Sequence, residues 1–281
     1  MTSSSGNNLY GKSGVDIDEG NRFISLIKES VASTKINGVI GGIGGFAGLF
    51  ALSEFKDMKE PVLVSGADGV GTKLKIALMS GKYDTVGIDL VAMSVNDLLV
   101  TGARPLFFLD YLAVGKLVPE RMKDVVAGIA AGCRLAGCAL LGGETAEMPG
   151  FYSNDEFDLA GFAVGIADKE KIVDGSSVKA GDVIIGMGSS GFHSNGYSLL
   201  RNVLFNEKGL KHDSVFYDNV TVGEALLIPT KIYADAVKKV MSEVTVKGMV
   251  HITGGGFYDN IIRVLPDNIA AEIDVSPVEL P

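Results

Sequence analysis

Pro61-Val62-Leu63-Val64-Ser65-Gly66-Ala67-Asp68-Gly69-Val70-Gly71-Thr72-Lys73 is the stretch from which the rest of the chain is best read. Its first half is an apolar run closed by glycine, the pattern of a short buried strand. Its second half reads as a glycine-rich turn carrying a carboxylate, a hydroxyl and an ammonium. A strand ending in such a turn offers backbone N–H groups to a phosphate, and glycine lets the backbone come close. Gly66 and Gly71 have P-loop spacing, but Thr72-Lys73 inverts the Lys-Ser/Thr order of that motif. Asp68 puts negative charge in the turn, which is unfavourable beside phosphate unless a divalent cation stands between them. Two readings are open: a metal–nucleotide turn of non-Walker type, or a plain strand–turn–helix with a solvated aspartate.

Working outward toward the N-terminus, Gly41-Gly42-Ile43-Gly44-Gly45-Phe46 suits a mobile flap or a close approach to ligand, and no convincing strand precedes it. Before it, Asp16-Ile17-Asp18-Glu19 opens a helix with acidic residues at the positive end of the dipole. Phe23, Ile27 and Val31 then recur at helical spacing. Lys28 stands beside that stripe, where a lysine usually snorkels to the surface. Met1 to Asn8 is polar, does not read as a signal peptide, and belongs to a tail over residues 1–13 expected to be disordered.

Toward the C-terminus, Leu74 to Met79 reads as a short helix and Asp84 to Gly102 as a longer one. Asp89, Met93, Asn96 and Asp97 fall on one face of the longer helix. Asp89 and Asp97 lie roughly 12 Å apart along its axis, so they line an elongated site rather than clasp one ion. Asp97 sits among apolar neighbours, where burial is expected and a carboxylate needs a partner: a Lys or Arg, or Mg²⁺. Arg104 to Val114 reads as a strand. A helix follows from Pro119 to Gly137, opened by proline and closed by glycine. Cys138 to Leu141 reads as a short buried strand running into the loop Gly142-Gly143-Glu144-Thr145-Ala146-Glu147. Those two glutamates suit acid–base chemistry, a metal, or simply an acidic surface. Asp68, Asp97 and Glu144 all stand near the end of a buried element, where open α/β sheets bind ligands.

Phe157 to Ala167 is a further strand. The polar run from Asp168 to Gly181 marks a domain boundary, giving residues 14–168 and 169–281. The second part opens with a strand from Asp182 and a formal G-x-G-x-x-G, Gly186 to Gly191. The acidic residue expected one strand later is missing, and Phe192-His193-Ser194-Asn195-Gly196 delays the helix. Such a loop holds a monophosphate, and His193 in it either meets an oxyanion, shuttles a proton or makes a structural hydrogen bond. Glu224 to Lys239 is helical with an interruption at Pro229. Val250-His251-Ile252-Thr253-Gly254-Gly255-Gly256 again runs from strand to glycine, and a helix follows to Leu265. A strand starts just before Pro281 without a successor, so the second domain reads as incomplete.

The composition sets bounds. A chain of 281 residues with 47% hydrophobic residues and 37 glycines is a turn-rich α/β protein of two domains. A net charge of −9 and a pI near 4.9 argue against nucleic acid or an anionic membrane as partner, and no apolar run approaches a membrane span. The two cysteines, Cys133 and Cys138, lie in apolar sequence and read as buried free thiols, which suits the cytoplasm. The three histidines exclude a His-rich metal centre.

Taken together, several stretches in this order closely resemble the AIR synthetase (phosphoribosylformylglycinamidine cyclo-ligase) family. They are Ser65 to Lys73, Gly87 to Asp97, Gly142 to Gly150, Gly191 to Leu199 and His251 to Gly256. The resemblance implies a two-domain α/β (α+β) fold whose N-terminal domain dimerises, strands of both subunits closing a β-barrel with helices outside. It implies the reaction FGAM + ATP → AIR + ADP + phosphate in purine biosynthesis. ATP phosphorylates the formamide oxygen, and the amidine nitrogen then closes the ring. It further implies Mg²⁺ and phosphates at Asp68, Asp97 and Glu144, and ATP contacts at Lys28, Gly69, Gly71, Thr72, Lys73, Asp89, Gly142 and Gly143. FGAM would meet Ser190, Gly191, His193, Ser194, Asn195, Thr253, Gly254 and Gly255, with His193, Asp97 and Lys28 as catalytic residues. Three rivals are set beside it. One is another ATP-using enzyme of the superfamily, such as thiamine-monophosphate kinase or selenophosphate synthetase. The others are a truncated, non-catalytic nucleotide-binding dimer and a dehydrogenase built on Gly186 to Gly191.

Overall fold

The computed structural model describes residues 14–274 and 276. The tail expected to be disordered and the strand start expected before Pro281 lie outside them. Asp16 caps the first helix, α1 (Ile17–Ala32), its carboxylate accepting from the Asp18 and Glu19 N–H groups. Such a cap satisfies donors that the first turn leaves free. Two short strands follow, β1 (Val39–Ile40) and β2 (Leu49–Phe50), paired antiparallel at the base of the glycine-rich flap. The flap holds Phe46 out in solvent.

The organising stretch forms β3 (Pro61–Gly69), a tight turn at Gly71–Lys73, and α2 (Leu74–Ser80). Then come α3 (Val86–Leu99), β4 (Arg104–Val114), α4 (Pro119–Ala136), β5 (Ala139–Glu147) and β6 (Phe157–Asp168). The sheet has four strands in the order β3-β6-β4-β5. β4 and β5 run parallel with α4 as their crossover, and the other pairs are antiparallel. The sheet is open: among the described residues no closed barrel forms, and β3 and β5 are its free edges.

One face of the sheet is covered. Phe108 and Leu112 of β4 and Leu159 and Ala163 of β6 pack against Leu90, Val95 and Leu98 of α3, with Val125 and Ile129 of α4 behind them. Fully burying a side chain of this size is worth about 1.5–3 kcal/mol, so this layer dominates the stability of the first half. The other face is covered only at one end, where Phe55 packs with Leu106 and Ile166, and it leaves Leu63, Tyr111 and Phe162 exposed.

Two expectations about the strands are corrected. The strand of the organising stretch does not stop at Gly66 but runs to Gly69, and it is an edge strand rather than a buried one: its residues alternate between exposed and half-buried through Asp68. Likewise β5 does not end at Leu141 but continues through Gly142-Gly143-Glu144 to Glu147. The cause is pairing. Asp68 and Gly69 find partners in Gly161 and Ala160, and Gly143 and Glu144 find them in Asp110 and Tyr111. A ladder of backbone hydrogen bonds outweighs the weak strand propensity of glycine and acid.

The second half contains α5 (Tyr197–Arg201), β7 (Val215–Tyr217), β8 (Val220–Thr221), α6 (Val222–Leu226), α7 (Ala234–Glu243) and α8 (Gly256–Ile261). α6 carries a complete capping box of Thr221 and Glu224. The strands expected from Asp182 and from Val250 are not formed. Their apolar residues run without a ladder partner among the described residues, and Val183 and Ile185 are exposed. A strand exists only through its neighbour, which a single stretch of sequence does not reveal.

Candidate active site at the seam between the two halves

The face of α3 that carries Asp89, Met93, Asn96 and Asp97 is where the second half docks. Asp89 Oδ1 accepts from the Thr230 N–H at 2.7 Å and its hydroxyl at 2.6 Å. Met93 Sδ meets the Asn195 amide at 3.8 Å. The Asn96 amide donates to the Lys231 carbonyl at 2.9 Å and accepts from the Tyr233 N–H at 3.2 Å. Asp97 Oδ1 lies 2.8 Å from His251 Nδ1. Helical spacing thus puts four residues with polar contacts on one seam.

Lys73 enters that seam from the turn after β3. Gly71 takes φ +71°, a left-handed conformation that favours glycine, and swings the chain into α2. The Lys73 side chain has no exposure to solvent. Its ammonium donates to Asp89 at 2.9 Å, to the His193 carbonyl at 2.8 Å and to the Ile228 carbonyl at 2.8 Å. Those acceptors use all three of its protons. Burial pulls the Lys73 pKa down against the opposing pull of Asp89, and burial pushes Asp89 up against Lys73 and Thr230. Lys73 is thus fully engaged inside the protein, while Asp89, equally buried beside it, meets all its hydrogen-bond donors at Oδ1 and keeps Oδ2 without one. Thr72 points outward and meets the Ser198 hydroxyl at 3.1 Å.

His193 takes φ 56° in the loop before α5. Its Nε2 accepts from the Ser190 N–H at 3.1 Å and from the Lys231 N–H at 3.5 Å. An accepting Nε2 leaves the proton on Nδ1. Burial, then the charges of His251, Lys73 and Lys231, lower the imidazole pKa to about 4. At neutral pH His193 is an uncharged ring with one N–H to offer. The hydroxyls beside it are engaged, Ser190 on the Pro229 carbonyl at 2.6 Å and Ser194 on that of Val70 at 2.9 Å. Gly191 follows Ser190 in the exposed part of this loop.

Asp97 is not buried, as its apolar neighbours in sequence suggested: its side chain is 53% exposed, while its partner His251 is only 9% exposed. The helix turns Asp97 away from the core, toward β3, where its Cβ lies 3.9 Å from the position a side chain at Gly66 would occupy. Asp68, two residues along β3, shares that face with Gly66. The two carboxylates thus stand on the same side of the sheet. Glu144 does not join them. It is exposed on β5 in register with Tyr111, on the bare side, so the expected set of three carboxylates does not converge within one chain. Among the described residues no three His, Cys, Asp or Glu side chains are grouped to hold a metal ion. Asp68 with Asp97 remains a set that fits Mg²⁺, which takes one or two protein carboxylates and completes its shell with water and phosphate.

Gly142 and Gly143 are strand residues. A Cβ on Gly143 would come within 2.3 Å of Asp110 Oδ1, so glycine there makes room for that carboxyl. Burial pushes the Asp110 pKa up to about 7. Lys28 is exposed on α1. Glu147 is structural: it accepts from the Asp16 N–H at 2.6 Å and the Leu117 N–H at 2.8 Å.

The last part of the seam is the loop Thr253-Gly254-Gly255. Buried Asn260 holds it, its amide donating to the carbonyls of Gly256 at 2.8 Å and Gly254 at 3.1 Å, with Thr253 at 3.4 Å. Sequence reading missed His251, Thr230, Lys231 and Asn260 as parts of the site. Asn260 was findable, being an amide at a helical position one turn after a glycine run.

The fold and the family models define the class as that of the AIR synthase related proteins. Residues 51–167 match AIR synthase related protein, N-terminal domain, and residues 179–281 match AIR synthase related protein, C-terminal domain. Within that class, the chain belongs to the phosphoribosylformylglycinamidine cyclo-ligase family. It is 58% identical over 273 residues to the cyclo-ligase of Desulfatibacillum aliphaticivorans, covering 97% of this chain and 78% of that one. It is 56% identical over 273 residues to that of Alkaliphilus oremlandii, covering 97% and 80%. Among solved structures, E. coli HypE superposes with a TM-score of 0.55 at 15% identity, over 83% of this chain and 64% of that one. HypE in complex with ATP gives 0.53 at 20% identity, over 85% and 61%. At such identities the likeness is one of fold, and the chain spans less than two thirds of either structure.

Proposed function

We propose that this chain closes the imidazole ring of FGAM at the expense of ATP, giving AIR, ADP and phosphate in purine biosynthesis. What carries this reading is the match along nearly the whole chain to curated cyclo-ligases, joined to a seam that gathers a carboxylate-bearing face, a neutral imidazole and a glycine loop. An amide oxygen is a poor leaving group, and transfer of the γ-phosphoryl to it makes a good one. Such a transfer relies on positioning and charge neutralisation more than on covalent help from the protein.

The residue roles in this reading are as follows. Asp68 and Asp97 would hold Mg²⁺, which neutralises phosphate charge when bound. Lys28 on α1 and the turn of Gly69, Gly71 and Thr72 are read as ATP contacts, in keeping with an ATP complex of a protein of this fold. His193 offers its Nδ1–H to the FGAM amide without becoming charged, beside Ser190, Gly191, Ser194 and Asn195. Thr253 and Gly254, their carbonyls turned toward Asn260, and Gly255 after them offer N–H groups to the substrate phosphate. Residues 14–168 form the ATP-binding and dimerising part and residues 169–281 the substrate part. Glu144, Gly142 and Gly143 belong to the edge and bare face of the sheet, where a second copy would cover Leu63, Tyr111 and Phe162. We place the protein in the cytoplasm: among the described residues its cysteines are free and no helix is long and apolar enough to cross a membrane.

The test is ADP release by the purified chain with and without FGAM. ADP production that requires FGAM, with AIR formed in equal amount, supports the assignment. ATP bound without FGAM-dependent turnover overturns it in favour of a nucleotide-binding dimer.

A further inference from the structure

We propose that the Lys73–Asp89 pair is a positioning device for His193, locking the backbone of the substrate loop to the first half of the chain. This rests on the reading of His193 as the residue that faces FGAM. Lys73 and Asp89 come from the turn after β3 and from α3, while the carbonyls of His193 and Ile228 and both donors of Thr230 come from the second half. One buried ion pair therefore bridges the two halves through four hydrogen bonds at 2.6 to 2.8 Å.

The bond to His193 is the informative one. His193 adopts φ 56°, a conformation that costs a non-glycine residue about 1–3 kcal/mol and persists only when its surroundings hold it. Lys73 supplies a charged donor to the carbonyl of that very residue. The Tyr197 ring lies 5.4 Å from the ammonium, and the Tyr197 hydroxyl donates to the Leu226 carbonyl at 2.6 Å, closing the cage on the remaining side. The imidazole is then aimed by two backbone donors, Ser190 and Lys231. Without the lysine the peptide is free to leave the left-handed region, and the ring leaves its donors with it. A pair serving stability alone has no need to end on the carbonyl of the one strained residue in the loop.

Lys73→Met leaves Asp89 buried without its counter-ion and serves as the unstable control. The working variant is Lys73→Met/Asp89→Asn, in which the new amide oxygen still accepts from Thr230. Thermal melting establishes that it folds, and NMR of the histidine rings follows each titration. The charged groups facing His193 are His251, Lys73 and Lys231. Loss of the tether and loss of the Lys73 charge together predict that the His193 pKa climbs from about 4 toward the ordinary 6.5 in the folded double variant. The tether also predicts that KM for FGAM rises about tenfold or more while KM for ATP stays within about twofold. A His193 titration unchanged from wild type in a folded double variant overturns the proposal, as does an unchanged KM for FGAM. If the double variant does not fold, hydrogen exchange of the His193 to Gly196 amides in Asp89→Asn decides: exchange faster than wild type supports the tether, and equal exchange overturns it. A wild type without FGAM-dependent turnover would remove the substrate reading, while the His193 titration would still report on the tether.

Discussion

Asn260→Ala tests how the glycine loop is held. Asn260 is buried, and its single amide group serves carbonyls at 2.8, 3.1 and 3.4 Å. An amide has two N–H donors, so the two shorter contacts count as full bonds and the third as shared. Each is worth about 1 kcal/mol net, and carbonyls left behind in a half-buried place add to the cost. Gly254 and Gly256 are exposed, so water takes over part of that debt. The loss then comes to about 2 kcal/mol, charged to the loop rather than to the core. That energy shifts the loop's equilibrium about 30-fold away from its present shape, and apparent affinity falls with the fraction still competent. Steady-state ADP release should therefore show KM for FGAM raised about 10- to 30-fold, with KM for ATP within about twofold. Asn260→Asp should be no better, because a carboxylate facing carbonyls repels them. A folded Asn260→Ala whose KM for FGAM matches wild type would refute the assignment of this loop to the substrate phosphate.

Thr230→Val removes the 2.6 Å hydroxyl donor to Asp89 and keeps the backbone N–H; a hydrogen bond to a charged group predicts a loss of about 1.5–3 kcal/mol in urea unfolding, and an unchanged midpoint would count against a strongly ionic pair. Asp110 gives a pH signature: its folded pKa of about 7 lies above the ordinary 3.8, so the native state holds more protons than the unfolded state between those values. Stability should therefore fall as pH rises through that window and level off above it, and Asp110→Asn should flatten the profile; an identical slope in the variant would refute burial as the cause. Gly143→Ala places a methyl within 2.3 Å of Asp110 Oδ1 and should cost about 1–3 kcal/mol by overpacking, read by thermal melting against wild type. Leu63→Glu with Phe162→Glu should convert a dimer to monomer in light scattering, and a dimer that survives both would mean that the bare sheet face is not the interface.

Much of the fold was legible along the chain. The Asp16 cap, the Pro119 start and Gly137 stop of α4, and the strand Arg104–Val114 all follow from local rules, because caps, fixed φ and alternation act within a few residues. The helical spacing of Asp89, Met93, Asn96 and Asp97 was legible too, and that shared face is the one on which the second half docks. The identity of the family was carried by motifs whose order in the chain needs no coordinates.

What each polar residue on that face does was decided by the fold alone. Lys73 ends a glycine-rich turn and Asp97 sits among apolar neighbours in sequence, yet the first is sealed inside and the second half exposed. The difference lies in what arrives from more than a hundred residues away: the His193 carbonyl and Thr230 to enclose the lysine and Asp89, and His251 to meet Asp97 at the surface. Glu144 fell on the far side of the sheet because a strand alternates faces, and one more residue of pairing with β4 reverses a side chain. Local sequence sets which groups are available, whereas desolvation and pairing depend on neighbours that only the folded chain supplies.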